Sequence, residues 1–572
     1  MNRNANERFA LNPVNIDMAR SKFTMTPEVK TTFNLGEIFP IGAPIEVLPG
    51  DTFQVTLSSA IRMQSLVTSP FDNVHFDYYF FFVPSRLCWD HWKQFMGENT
   101  ESAWIPTTEY TIPTLDFVGG AEPKSVADYF GIPTKGGTSQ VLSDGHIKVN
   151  ALPFRGFAEI FNEWFRDENI MDPVNINTDD VNRTGFALPE GATKDTYYGY
   201  DTVITDLDLG GYLPRACKSR DYFTSALPGP QKGPDVMIAD NMPVYFGEPR
   251  DTAEIIADHP LKIPSVIRDT GDGTTLNPGR STIGFVNGST SSNLSRVTST
   301  GNVFQPANWY VASNYSINQL RLAFQIQKLY EKEARSGSRY IELLKGHFGV
   351  TAPDASLQRP QYLGGRRIPI NINQVVQTSE TNDTPQGNIA GYSLTSFSGN
   401  GDFIQSFTEH GYLYALGVCR RDAVVYQQGI HRMWTRKDKL DYYFPVLANI
   451  GEQPILEKEI YCLGDEEKVT NQDNDVFGYQ EAWAEYRYAP SICTSEMRSN
   501  YPQSLDVWHL GDFYDTDPRL HPDWITEDPI ILNRVIAVND RTSDQFFGDF
   551  HFNITATRPM PLYSVPGLID HH

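Results

Sequence analysis

The run Tyr78-Tyr79-Phe80-Phe81-Phe82-Val83 constrains this chain more than any other stretch. Consecutive aromatic and branched side chains favour a pleated, extended backbone. A strand apolar on both faces needs cover on both, which predicts a place in the middle of a packed sheet. Pro84 cannot donate to a ladder and predicts the end of the strand. Ser85 is placed to cap a helix. Cys88, Trp92, Phe95 and Met96 fall on one face of that helix, and Gly97 suits the left-handed residue that closes it. Tyr78, Phe80, Phe81, Phe82, Trp89 and Trp92 are thus the candidate core of strand and helix.

The surrounding composition supports a large β fold. Among 572 residues, 40% are hydrophobic and 12% aromatic, enough for a sizeable core. With 43 Gly and 38 Pro, turns are plentiful and long regular helices disfavoured. No apolar run approaches the roughly 20 residues that span a bilayer, so membrane insertion is not expected. The polar start Met1-Asn2-Arg3-Asn4 lacks a secretory apolar segment, which predicts folding in a cytoplasm. Cysteines at 88, 217, 419, 462 and 493 form no C-x-x-C pair, and neither a disulfide framework nor a thiolate zinc site is expected. The net charge of −23 argues against a generally nucleic-acid-binding surface, because neutralising phosphate needs clustered Lys and Arg.

Along the chain, residues 1–25 carry Arg3, Arg8, Arg20 and Lys22 and read as an arm without its own core. Residues 26–572 read as one domain with large insertions. Ile45 to Met63 predicts strand, turn, strand: Pro49-Gly50-Asp51 is the turn, and Phe53, Val55 and Leu57 alternate with polar residues. Ser125 to Phe130 predicts one helical turn. Leu152 to Asn169 predicts a helix, with Phe157, Ile160, Phe161, Trp164 and Phe165 on one face. Residues 229–306 shift to Gly, Ser, Thr, Asn, Asp and Pro, too long for a plain connection and therefore functional or disordered. Val244-Tyr245-Phe246 and Ile283-Gly284-Phe285-Val286 predict some order within it. Ser316 to Arg335 predicts a helix with a Ser316/Gln319 capping box and Leu322, Ile326, Leu329 and Tyr330 on one face. Ser338 to His347 predicts another after Gly337. Tyr412–Val418, Asp422–Gln427 and Tyr442–Val446 predict strands, and Phe550, Phe552 and Ile554 a last one that must find a distant partner. That scatter suits a jelly roll or another sandwich.

Catalytic patterns are weak. Asp269-Thr270-Gly271 has the letters of an aspartic-protease loop, but that chemistry needs two such loops, and turn formation explains it. Asp269 and Asp272 leave at most a weak calcium site, since the EF-hand spacing is absent. Glu409-His410 and His431 are scattered, with no helix-face metal pattern. Arg420-Arg421 and His431-Arg432 with Arg436-Lys437, interleaved with Tyr426 and Trp434, have the composition of a base-stacking surface. A solvated or intersubunit face explains them better. No catalytic residue, cofactor or firm metal site is assigned.

Several stretches resemble the major capsid protein of the gokushoviruses, small single-stranded DNA phages of the Microviridae. They include Phe80-Phe81-Phe82-Val83-Pro84-Ser85-Arg86-Leu87 with Trp89 and Trp92, Leu152-Pro153-Phe154-Arg155-Gly156, and Asn162-Glu163-Trp164-Phe165-Arg166-Asp167. Asp221-Tyr222-Phe223-Thr224-Ser225-Ala226-Leu227-Pro228, Phe407-Thr408-Glu409-His410-Gly411, Tyr426-Gln427-Gln428-Gly429 and Trp483-Ala484-Glu485-Tyr486-Arg487-Tyr488 are others, in the same order. The resemblance implies an eight-stranded antiparallel jelly roll, a viral capsid β-sandwich with long loop insertions containing short helices. It implies a T=1 icosahedral homo-oligomer on the order of 60 copies around circular single-stranded DNA, built in the bacterial cytoplasm, with no catalysis. Implied partners are a small basic DNA-binding virion peptide, internal scaffolding and pilot proteins, and a host surface receptor. The 229–306 insertion would rise at the threefold axes for host attachment, placing Asp269, Gly271, Asp272, Asn287, Ser289 and Asn293 outward. Arg3, Arg8, Arg20 and Lys22 would face the genome. The rival reading is a β-sandwich carbohydrate-binding protein or glycoside hydrolase, which would need a close carboxylate pair in an aromatic-lined cleft.

Overall fold

The computed structural model describes residues 19–100, 108–135, 141–142, 144–189, 206–234, 317–380, 386–387, 389–464 and 472–563. It also gives the short strands Val244–Gly247, Ile267–Asp269, Ile283–Phe285 and Ala307–Val311. The chain divides into two units, Met1–Pro230 with Ala334–His572, and Gln231–Glu333.

Two antiparallel sheets form the centre of the first unit. Their strands are β1 (Ser21–Met25), β2 (Glu28–Phe33), β3 (Phe39–Pro40), β4 (Ile45–Val47), β5 (Thr52–Met63), β6 (Val74–Pro84), β7 (Gln361–Pro369), β8 (Thr395–Phe397), β9 (Phe403–Ser406), β10 (Gly411–Arg421) and β11 (Phe546–Arg558). In one sheet β11 lies between β5 and an edge position shared by β1 and β2, and β5 pairs outward with β8 and β9. In the other, β6 lies between β7 and β10, and β10 pairs outward with β3 and β4. Counting each split edge once, each sheet has four positions. They run 1-8-3-6 and 2-7-4-5 in chain order, the double Greek key of a jelly roll. The expected β-sandwich is present. The last residues of the predicted arm, Ser21–Met25, are an edge strand whose Lys22 is registered with Thr557.

The central strand sits where its composition predicts. Phe76, Tyr78, Phe80 and Phe82 face the other sheet. Phe33 and Phe39, from opposite sheets, stack at 4.2 Å; Phe76 meets Phe550 at 5.5 Å and Phe80 meets Phe403 at 5.1 Å. Tyr79 and Phe81 point the other way, against Phe165 and Trp164 at 5.4 and 5.5 Å. Both faces of the strand are thereby covered. On the opposite sheet Phe53, Val55 and Leu57 are buried, as their alternation predicts. The strands on either side of the Gly50 turn enter different sheets.

Helical expectations fare less evenly. Only Ser85–Cys88 and Trp92–Phe95 are helical in the first candidate, and Pro84, with no side-chain cap bond, occupies the cap position predicted for Ser85. Trp89 is fully buried and fixes the break by hydrogen-bonding Asp180, while Phe95 and Met96 of the predicted face are exposed. Leu152–Ile160 (α1) is helical and runs into a wider π turn, Phe161–Phe165, that lays Trp164 and Phe165 on β6. The predicted turn at Ser125 to Phe130 is the helix Val126–Tyr129, and Ser125 caps it by accepting from the Asp128 amide. Helices Ile317–Ser336 and Tyr340–Phe348 are present, but Ser316 lies outside the described residues, and Leu322 and Leu329 of the predicted face are exposed. Asp422–Gln427 shortens to Val425–Tyr426, and Tyr442–Val446 is not a strand: Pro445 opens a 3-10 turn there and no neighbouring strand pairs with it among the described residues.

The insertions after β6 and β10 have a core of their own, with Phe223 against Tyr426 and Phe477 against Trp524. It is joined to the jelly roll by ion pairs. Arg421, at the end of β10, is wholly buried and reaches Asp512 at 2.6 Å and Glu527 at 2.9 Å; Lys218 reaches Asp512 at 2.8 Å.

Candidate assembly surface

The basic clusters predicted as possible nucleic-acid contacts separate into two environments. Arg420 and Arg421 face inward. Arg420 pairs with Asp77 at 2.6 Å beside Arg367. Burial works to raise the Asp77 carboxyl, but the adjoining His75 and the two guanidiniums outweigh it and hold the group well below the carboxylate range. Burial likewise opposes charge on Asp512, but Arg421 and Lys218 keep it ionised. Arg421 is wholly enclosed in its ion pairs, while Arg420, paired with Asp77, keeps about a fifth of its side chain exposed. Glu409 pairs with Arg86, His410 stands against Trp92, and the His431 ring accepts a bond from the Met433 amide. These groups assemble no acid–base centre.

The second cluster, His431-Arg432 with Arg436-Lys437, opens a different kind of element. Residues 430–451 form a chain of short 3-10 turns, Arg432–Thr435, Lys439–Asp441 and Pro445–Leu447, held at its base and open along its length. Arg432 donates to the Pro454 carbonyl at 2.8 Å and pairs with buried Glu459. Arg436 pairs with Glu485 at 3.0 Å and lies over the Tyr486 ring at 4.4 Å. Trp483, held at a left-handed φ of 68°, donates its indole N–H to the Leu447 carbonyl at 2.9 Å. Lys437 and Asp438 amides close on the Asp441 carboxylate.

With the polar groups spent on the anchor, the apolar ones are left outside. Trp434 is 73% exposed, Leu440 71% and Val446 93%. Met433, Tyr442, Tyr443 and Ile450 are exposed too, as is Tyr486, whose ring meets Tyr443. Beneath the segment lies a hollow of about 510 Å³ lined by Leu440, Leu447, Ile450, Leu456, Trp483 and charged groups from the anchor. A set of large exposed apolar side chains on an ordered scaffold marks a protein–protein surface, and Trp, Tyr and Arg are the residues that carry such interfaces.

The cleft required by the rival reading is also present. A hollow of about 570 Å³ is lined by Trp164, Glu168, Glu342 and several arginines. Its carboxylates are occupied: Arg339 pairs with Glu168 at 2.8 Å and Glu342 at 3.4 Å, and Glu342 caps the Tyr340–Phe348 helix. The pair closes a helix terminus. Among the described residues no group of three or more His, Cys, Asp or Glu could hold a metal ion, and no helix is long and apolar enough to cross a membrane.

Of the other predicted residues, Tyr78, Phe80, Phe81, Phe82 and Trp89 are core, and Trp92 packs partly buried against it. Arg20 and Lys22 are exposed; Arg3 and Arg8 lie outside the described residues. Asp269 lies in the strand Ile267–Asp269, which pairs with Ile283–Phe285, and Gly271, Asp272, Asn287, Ser289 and Asn293 lie outside the described residues. Trp434 is among the residues the sequence singles out, whereas Tyr442–Val446, read there as a strand, is part of this exposed segment. The missed signal is Arg436-Lys437-Asp438-Lys439 leading into it, too charged for a strand that lies inside a sandwich.

A double-Greek-key sandwich with insertions ending in exposed aromatic surface is the architecture of a viral capsid protein. The family described as "Capsid protein (F protein)" matches residues 14–568, and the chain belongs to it. It is 38% identical over 563 residues to the capsid protein VP1 of Bdellovibrio phage phiMH2K, covering 96% of each chain. It is also 38% identical over 561 residues to that of Spiroplasma virus 4, covering 96% of this chain and 95% of that one. To that of Chlamydia phage 1 it is 37% identical over 592 residues, covering 96% of each. These are Microviridae phages of the gokushovirus group, in accord with the resemblance in the sequence.

Proposed function

We propose that copies of this chain close a T=1 icosahedral shell around a circular single-stranded DNA genome in the host cytoplasm, without catalysis. The observation that carries this is the 430–451 segment: ordered, anchored and apolar toward solvent, in a chain of a capsid family. Identical subunits close a shell through repeated contacts around symmetry axes, and that surface supplies one of them. The Arg3, Arg8, Arg20 and Lys22 arm faces the DNA, shared with a small basic virion peptide, and scaffolding and pilot proteins act during assembly. The 229–306 insertion faces outward, with Asp269, Gly271, Asp272, Asn287, Ser289 and Asn293 toward a host receptor. The test is sedimentation of the purified protein with electron microscopy. The proposal expects megadalton closed particles. A lone subunit at high concentration that hydrolyses a glycan refutes it.

A further inference from the structure

Between β7 and β8 the chain makes a hairpin, Ile372–Val376 paired with Ile389–Ser393, that neither sheet of the jelly roll takes up. Its base is fixed. The Asn371 amide donates to Thr395 Oγ1 at 2.8 Å, and Gly391 lies so close to Leu66 and the Thr68 carbonyl that a Cβ there would clash. Toward its tip both faces are open. Cross-strand partners share a face, so Val376 and Ile389 lie on one side and Val375 with Tyr392 on the other, and all four are exposed. The outer edge of Ile372–Val376 has no strand beside it among the described residues.

A two-stranded hairpin covered only near its base is marginal in water. A free edge is ordinarily blunted by charge, proline or a bulge, and Ile372-Asn373-Gln374-Val375-Val376 has no charge and no proline, nor does its pairing break register. We infer that this hairpin is completed by a second copy of the chain, which covers its apolar faces and continues its open edge by strand pairing. Nucleic acid is a poor occupant, because no Lys or Arg occurs from Ile368 to Cys419. Every subunit carries the hairpin, so its cover must be present in equal number, and in a shell the chain itself is. The inference rests on the capsid reading and adds to it a contact distinct in sequence from the 430–451 segment.

The test pairs Val375→Lys/Val376→Lys with a control, Val181→Lys, at an exposed valine elsewhere. The inference expects wild type and control to form particles while the double variant keeps its thermal unfolding midpoint but sediments as subunits or small oligomers. In wild-type particles, amide exchange over 372–376 should be at least about tenfold slower than in dissociated subunits. Particles from the double variant in normal yield, or exchange unchanged on assembly, overturn it. So do variant particles that form but no longer adsorb to cells, which assign the hairpin to a receptor. Wild-type protein that forms no particle refutes instead the capsid reading beneath.

Discussion

At the residue scale, Arg421 shows how charge is used inside this chain. Its guanidinium holds Asp512 and Glu527 together where neither meets solvent. Breaking a buried pair from one side strands the other charges and costs about 3–5 kcal/mol. Arg421→Met should therefore lower the stability of dissociated subunits by that amount in denaturant unfolding, and adding Asp512→Asn and Glu527→Gln should recover part of it. A loss below about 1 kcal/mol contradicts the reading. Glu159 works in the opposite sense. Burial, reinforced by the nearby Glu163 charge, pushes its carboxyl up to about 7, against an ordinary value of about 4.3. Between those values the folded chain holds a proton that the unfolded chain has released, so stability falls as pH rises through that window. Glu159→Gln should match wild type near pH 4 and exceed it by about 3.5 kcal/mol at pH 8. Parallel pH profiles for the two proteins would remove Glu159 from the account.

At the element scale, what the sequence made legible follows from periodicity. β6 was readable because Tyr78 to Val83 tolerates water on neither face, and β5 and β11 because Phe53-Val55-Leu57 and Phe550-Phe552-Ile554 alternate strictly. The face from Cys88 to Met96 fits a single helix, but the chain is extended at Trp89, whose indole donates to Asp180, and two short helices result. Strand order was not legible, since β6 pairs with β7 across residues 85–360 and no local pattern specifies such a partner. Tyr442–Val446 reads as a strand because exposed apolar side chains cannot be told from core ones in a single sequence. Trp434→Asp with Val446→Asp should leave the subunit fold intact, since both are exposed, yet reduce particle yield by at least about tenfold, the equilibrium change that 1.4 kcal/mol brings. Gel filtration and circular dichroism of the dissociated variant check the first part, sedimentation the second. Normal particle yield would show that the segment faces solvent in the shell.

At the scale of the whole molecule, the jelly roll is a small share of the chain, and the insertions after β6 and β10 take most of the rest. Contacts between copies of a capsid protein need surface, and loops carried on a rigid sandwich can supply it. Replacing residues 235–305 by a brief linker should leave subunits folded while adsorption to cells is lost; unchanged adsorption would refute the attachment role. The central claim is that the exposed aromatic surface of the subunit is made for copies of itself. Electron cryomicroscopy of purified particles tests it most directly. The account predicts a closed icosahedral shell in which Trp434, Tyr442 and Val446 lie within about 4.5 Å of a neighbouring copy. A shell in which those side chains face solvent on every subunit would contradict it.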